Sequence, residues 1–344
     1  MKALVKSRTG KGHMTFQEVE EPRAGDGDVL IRVAYGGICG TDIHIMEDRF
    51  PSHPPVIIGH EFSGEIIEVG AGVENYKVGD RVVAEPHRGG CGICRYCLTG
   101  KVEVCRNKKA IGYKVDGCFT EKLALPATSL HRIPDGLSLE HAALAEPLAV
   151  GIKALLERSV VEPCDFVVVT GCGPIGLLAA AAAKAAGARA ALVTGMNGDE
   201  ALRLPAARAM GIDYTVNIEQ EDVVQRVAEL TGGQGADIVV EASGAEPAIA
   251  QAFDLIKIDG KITGIGLSGK DTIAIPWNLA MKKAARLSCS FSTTWTSWER
   301  ALAMLASEAI HVPPLISATM PLSDWEQAFE RLTRLEAIKI LLKP

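Results

Sequence analysis

Two groups of side chains in this 344-residue sequence are suited to holding a metal. The first lies in "CGICRYCLTGKVEVC", where Cys91, Cys94, Cys97 and Cys105 follow the pattern C-x2-C-x2-C-x7-C. Four thiolates this close match a closed tetrahedral zinc site, which orders a loop too poor in apolar residues to fold alone. The opening C-x2-C-x2-C also begins iron–sulfur ligand sets, but those put the fourth cysteine after a gap of three residues, followed by proline. Here the gap is seven and Arg106 follows, which favours zinc. A full set of four cysteines leaves no position open for chemistry, so this group indicates a metalloprotein without indicating a metalloenzyme.

The second group is dispersed. "GGICGTDIH" carries Cys39, Thr41 and His44, "GHEFSGE" carries His60 and Glu61, and "ALAEPLAVG" carries Glu146. Cysteine, histidine and carboxylate together can build a catalytic zinc site with an exchangeable position. Each also has a plainer reading: Cys39 as a small core residue, His60 as a satisfied loop histidine, Glu61 and Glu146 as solvated acids. Spacing alone does not decide between them.

A third feature is "TGCGPIG", with Gly171, Gly173 and Gly176 in G-x-G-x-x-G order. It follows "DFVVVTG", a β-branched run typical of a strand buried on both faces, and opens a small-residue helix closed by Gly187. In that context Gly171 makes the tight turn, Gly173 admits a pyrophosphate close to the backbone, and Gly176 lets helix and strand pack closely. Pro174 and Ile175 start the helix, whose N-terminal N–H groups face the phosphates, and complete this candidate cofactor-binding stretch.

The elements that must position these residues follow two rhythms. Up to residue 151 the chain reads as short strands and turns, a β-rich barrel with no long helix before "LSLEHAALAEPLAVGIKALLER". Residues 152–291 alternate strand and helix with short connections, which predicts a doubly wound parallel α/β sheet. Residues 292–344 give two amphipathic helices, "SWERALAMLASEA" and "LSDWEQAFERLTR". Trp295 and Trp298 in the first are candidates for a pocket, a subunit contact or core.

Basic residues number 36 and acidic ones 42, a net charge of −6, which argues against a nucleic-acid partner. The most tempting apolar run, 175–186, is alanine-rich and interrupted by Lys184, and the N-terminus lacks a signal-peptide core. Nine cysteines, an odd number with four clustered, fit metal ligation in a reducing compartment. A cytoplasmic protein without membrane or nucleic-acid partners is expected.

Taken in series, "GGICGTDIH", "GHEFSGEIIEVG", "KVGDRV", the four-cysteine lobe, "EPLAVG" and "GCGPIG" resemble the zinc-dependent medium-chain dehydrogenase/reductase family, in the branch of polyol (sorbitol-type), butanediol and threonine dehydrogenases. The resemblance spans essentially the whole chain. It implies a GroES-like β-barrel catalytic domain over residues 1–151, a Rossmann domain over 152–291, and a segment, 292–344, that returns to the catalytic domain. It implies that Cys39, His60 and Glu61 bind a catalytic zinc, that Glu146 binds it directly or through water, and that Cys91, Cys94, Cys97 and Cys105 bind a structural zinc. Thr41 and His44 would relay the hydroxyl proton outward while hydride passes to nicotinamide. The implied substrate is a secondary alcohol of a polyol, sugar alcohol or sugar derivative, phosphorylated or not. Threonine and butanediol dehydrogenases are alternatives, and a non-catalytic dinucleotide-binding protein is a reading of another class. Arg49, just after the relay histidine, is a candidate for a substrate phosphate or carboxylate, against the plainer reading of a solvated arginine. The family commonly forms dimers or tetramers, for which "RLSCSF" is a candidate edge strand.

NAD-preferring members of such folds end the second strand of the nucleotide domain in an acid that binds the adenosine ribose. Here "AALVTGMNGDEALRL" has Gly195 at that position and a lengthened loop before Arg203. Loss of the acid removes repulsion against a 2′-phosphate and Arg203 can supply matching charge, so the sequence leans toward NADP. The competing reading is that Asp199 or Glu200 folds back to the ribose and NAD is retained.

Overall fold

Strand and helix begin to alternate at Phe166 and stop doing so after Cys289 in the computed structural model, which describes all 344 residues. The chain divides into two compact units: Met1–Glu146 with Thr293–Ala306 and Ile316–Pro344, and Pro147–Ser292 with Ser307–Leu315. The first boundary thus lies a few residues before 151, and residues 307–315 belong with the second unit instead of the returning segment.

The first unit opens with strands β1 (Lys2–Lys6), β2 (Met14–Glu18) and β3 (Asp28–Gly37), then a short helix α1 (Gly40–Met46). Strands β4 (Val56–Ile57), β5 (Glu61–Val69) and β6 (Arg81–Ala84), helix α2 (Arg95–Leu98), strands β7 (Lys122–Pro126) and β8 (Leu130–Arg132), and helix α3 (Leu139–Ala142) follow, and helix α4 (Ala145–Ile152) begins in the first unit and runs into the second. The second unit runs β9 (Phe166–Thr170), α5 (Pro174–Ala185), β10 (Ala190–Gly195), α6 (Arg203–Ala209), β11 (Tyr214–Asn217) and α7 (Val223–Leu230). It continues with β12 (Ala236–Glu241), α8 (Glu246–Leu255), β13 (Ile256–Gly264), α9 (Trp277–Lys282) and β14 (Arg286–Cys289). The chain then contributes α10 (Trp295–Ala306), β15 (Ile316–Pro321), α11 (Trp325–Thr333) and β16 (Lys339–Lys343) to the first unit.

In the first unit a large sheet has the order β15-β16-β3-β5-β6-β8, with β7 paired to β3, and β2-β1-β4 form a small second sheet. The C-terminal strand β16 lies antiparallel to β3, with Leu341 opposite Gly37, and Gly37 in turn faces Glu61 of β5. Apolar residues of the sheet, among them Ile31 and Phe62, pack with Phe119 and with Phe329 of α11, the two rings edge-to-face at 6.5 Å. Of the two tryptophans in α10, Trp298 is core, stacked on His131 of β8 and donating its indole N–H to Thr293, whereas Trp295 is exposed.

The second unit is one parallel sheet in the order β11-β10-β9-β12-β13-β14, the doubly wound arrangement expected from the alternation. The central strand β9, FVVVT, is buried along its whole length. Strand order reverses between β9 and β12, so the glycine turn after β9 stands at the switch point, where such sheets bind ligands. Helix α5 starts with Pro174 at its first position, where the missing N–H costs nothing. Gly176 is fixed by space: a Cβ there would lie 2.0 Å from the carbonyl oxygen of Gly171. Gly176→Ala is expected to lower unfolding free energy by about 1–3 kcal/mol and weaken dinucleotide binding, read by denaturant titration and NADH fluorescence. No helix is long and apolar enough to cross a membrane.

Candidate active site

Cys39 is the N-cap of α1, in an extended conformation that turns β3 into the helix. Its N–H donates to Asp42 Oδ2 at 2.9 Å, and the other oxygen of Asp42 lies 3.4 Å from His60 Nδ1. Asp42 is fully buried and its Oδ1 has no other partner, so it is free to hold the imidazole with Nε2 facing the remaining donors. Burial works against a charged His60, but Asp42 and then Cys39 outweigh it and raise the imidazole well above its usual range. The donor atoms of Cys39, His60 and Glu61 all lie within 4.8 Å of one another. Three donors of sulfur, nitrogen and oxygen type, with a carboxylate behind the histidine, suit zinc with a position left for another ligand.

Glu61 is fully buried and ion-paired to Lys339 of β16, whose ammonium also donates to the Ile38 carbonyl at 2.9 Å. Gly37 makes room for this pair: a Cβ there would sit 2.5 Å from Glu61 Oε2 and 3.1 Å from Lys339 Cε. Glu146, at the start of α4, is buried but stands outside the three-residue cluster. Burial, and then the charge of Glu61, push its carboxyl up to about 7.

Thr41 lies in the first turn of α1 with its Oγ1 3.7 Å from Cys39 Sγ, and His44 follows on the exposed side. Partial burial and then the Arg49 charge hold the His44 imidazole below its ordinary value. The Arg49 N–H donates to the His44 carbonyl at 2.8 Å, which keeps the two adjacent. A proton acceptor must be neutral, so removing the arginine charge raises the pH below which His44 stops working. Arg49→Ala is therefore expected to move the acid limb of the kcat/KM profile to higher pH; an unmoved limb would remove His44 from the relay.

The four cysteines of the first group come together as the spacing predicts. Sulfur–sulfur distances are 3.5 Å for Cys94–Cys97, 3.8 Å for Cys94–Cys105 and Cys91–Cys105, and 4.0 Å for Cys91–Cys97. A tetrahedron with metal–sulfur bonds of about 2.3 Å has edges of about 3.8 Å, so these thiols fit zinc without rearrangement. All are free of disulfides. Backbone N–H groups of Ile93 and Cys94 bring the Cys91 thiol down to about 6, favouring the thiolate that a metal requires. Gly90 lies against the cluster, where a Cβ would come within 2.7 Å of Cys97 Sγ.

In the second unit the glycine turn leaves a cradle. Gly171 has φ +108°, and a Cβ there would press on Ser243 at 3.1 Å. Gly173, the N-cap of α5, has nothing within 4 Å of where its Cβ would be, so a phosphate can approach the backbone and the N–H groups of Pro174's successors, beginning at Ile175. Glu241, at the end of β12, is buried and accepts from the N–H groups of Ser243 (2.9 Å) and Gly244 (3.0 Å), fixing the loop beside Gly171. Gly195 ends β10 as expected, followed by a 3-10 turn at Asn197–Asp199 before α6 starts at Arg203. Arg203 is not an unencumbered cation: its Nη1 donates to Asp199 Oδ1 at 3.2 Å. Glu200 is turned to Asn217, from whose Nδ2 it accepts at 2.9 Å.

Residues 25–135 match the alcohol dehydrogenase GroES-like domain and residues 174–307 the zinc-binding dehydrogenase domain. The chain belongs to the zinc-dependent medium-chain dehydrogenase family. It is 41% identical to a sorbitol dehydrogenase of Halalkalibacterium halodurans over 100% of this chain and 99% of that one. It is 36% identical to a D-arabitol-phosphate dehydrogenase of Enterococcus avium, over 100% and 97%. Among solved structures it resembles a zinc-binding dehydrogenase of Sinorhizobium meliloti bound to NADP, with TM-score 0.92, 30% identity and coverage of 100% and 99%. As a medium-chain dehydrogenase of this kind the chain is an alcohol or polyol oxidoreductase that uses zinc and a nicotinamide dinucleotide. Asp42, Lys339 and Glu241 are the residues of its sites that the sequence reading passed over. Only Asp42 carried a local signal, an acid three residues after the N-cap cysteine in "CGTD".

Proposed function

We propose that this dehydrogenase interconverts a secondary alcohol of a polyol, sugar alcohol or sugar derivative, phosphorylated forms included, with the corresponding ketone. The observation that carries the reading is the pair of ligand sets in the first unit. One has four thiols at tetrahedral spacing, and the other has three mixed donors with a position open. Two zinc ions per chain are proposed accordingly, one structural at Cys91, Cys94, Cys97 and Cys105 and one catalytic at Cys39, His60 and Glu61, with Glu146 nearby. Bound zinc supplies Lewis acidity and bound nicotinamide supplies a two-electron acceptor.

The chain's own residues do the rest. Asp42 fixes the His60 ring, and Lys339 compensates the buried charge of Glu61. Thr41 Oγ1 takes the substrate hydroxyl proton and His44 passes it to solvent. Gly171, Gly173, Pro174, Ile175 and Gly176 hold the pyrophosphate. Gly195 in place of the ribose acid, with no free carboxylate beside it, supports the lean toward NADP. A homodimer or homotetramer is proposed through β14, an edge strand whose surroundings expose Leu287, Phe291, Trp277 and Met281. A reducing compartment such as the cytoplasm suits the free thiols.

The test is alcohol-dependent reduction of NAD and NADP over sorbitol, pentitols, polyol phosphates, 2,3-butanediol and L-threonine, with zinc counted per chain. Turnover of a polyol or its phosphate with two zinc ions is the expected result. Preference for butanediol or threonine would move the chain to those alternatives, and one zinc without activity would leave a non-catalytic dinucleotide-binding protein.

A further inference from the structure

Gly195, at the tip of β10, is boxed in. A Cβ on Gly195 would lie 2.8 Å from Leu204 Cδ2, 2.9 Å from Cys172 Sγ and 3.1 Å from Asp199 Cβ. The space for an acid at 195 is therefore already filled, in part by an acid delivered from four residues on. Asp199 is buried, and Cys172, against which it lies, is the residue between Gly171 and Gly173 of the glycine turn.

The loop that delivers it is a built structure. The Met196 N–H donates to Asp199 Oδ2 at 2.9 Å. Asn197 is held from both sides, its N–H donating to Glu219 at 2.6 Å and its side-chain oxygen accepting from Asn217 at 2.8 Å and Gln220 at 2.9 Å. Arg203 closes the arrangement from α6 onto Asp199 Oδ1, and its own Nε is buried with no partner. The two side chains are only 11% and 17% exposed. A ribose 2′-hydroxyl needs a free carboxylate oxygen, whereas a 2′-phosphate needs a free guanidinium. Here each group occupies the other.

Building on the dinucleotide reading above, we infer that Asp199 and Arg203 jointly select between NAD and NADP, their effects opposed, and that Gly195 is glycine because Leu204, Cys172 and Asp199 fill the space a side chain there would need. Freeing Arg203 favours the 2′-phosphate. Freeing Asp199 Oδ1 favours the ribose hydroxyls. Returning an acid to 195 does not restore NAD preference, because it displaces Asp199, Cys172 and Leu204 together.

The experiment is fluorescence titration of the zinc-loaded full chain with NADH and with NADPH, using wild type, Asp199→Asn, Arg203→Met, Arg203→Lys and Gly195→Asp, with thermal unfolding of each. Asp199→Asn is expected to shift the ratio of dissociation constants about tenfold toward NADPH, and Arg203→Met about tenfold toward NADH, with Arg203→Lys in between. Gly195→Asp is expected to weaken both cofactors and lower the melting temperature. Shifts within about twofold, shifts in the same direction for both sites, or a stable Gly195→Asp protein selective for NADH would overturn the inference. If Asp199→Asn is unfolded, the two arginine variants decide alone. Failure of wild type to bind either nucleotide would instead overturn the dinucleotide reading itself.

Discussion

Cys39→Ser is expected to lower kcat/KM by about a thousandfold or more while leaving the melting temperature nearly unchanged. The rate loss follows from the donor set. Of the three donors that converge there, Glu61 already spends an oxygen on Lys339 and His60 is a neutral donor when it ligates, so the sulfur, as thiolate, is the one anionic donor not tied up in an ion pair. A hydroxyl does not ionise to replace it. The fold survives for a local reason: Cys39 is an N-cap residue in extended conformation, and serine is among the best residues for that position. Steady-state kinetics, thermal unfolding and zinc analysis together check the expectation. Loss of one zinc per chain should accompany the loss of rate, and a normally active variant would end the assignment of this site to catalysis.

Cys94→Ser is expected to behave in the opposite way, with a large loss of stability and a smaller loss of turnover per folded molecule. Cys94 caps α2, and its sulfur stands 3.5 Å from Cys97 and 3.8 Å from Cys105, so one substitution opens the whole tetrahedron. The lobe has little else to hold it: Ile93 is 83% exposed, Leu98 72% and Tyr96 46%. Structural zinc contributes about 10–16 kcal/mol in isolated zinc-binding peptides, and even a fraction of that would uncouple this lobe from its unit. The checks are a melting temperature lower by about 5 °C or more and rapid proteolysis between residues 91 and 105, reproduced in wild type by a strong chelator. A variant that melts and resists protease like wild type would show that the lobe folds without metal.

The features that the sequence disclosed are those fixed by neighbours along the chain. The glycine turn, the buried run of β9 and the four-cysteine spacing are local patterns with one dominant physical reading each, and all three appear where expected. Helix α1 escaped notice because seven residues are too few to display a helical period. Lys339 could not have been found: nothing in "AIKILLK" marks a buried lysine as part of a metal site. Its role exists only because β16 pairs with β3 in a register that sets it beside Glu61. Gly195 was legible as a missing acid, but not as a position whose space another acid occupies, since that depends on how the 196–200 loop folds back.

The partnership of Glu61 with Lys339 also bears on the order in which the molecule is made. The ligands of the cysteine lobe lie close together and can gather while the chain is still leaving the ribosome. Glu61 must wait for an ammonium 278 residues downstream, and until β16 arrives it is a lone charge with no place in a dry interior. The Cys39–His60–Glu61 cluster therefore reaches its final arrangement only once the C-terminal strand has paired with β3.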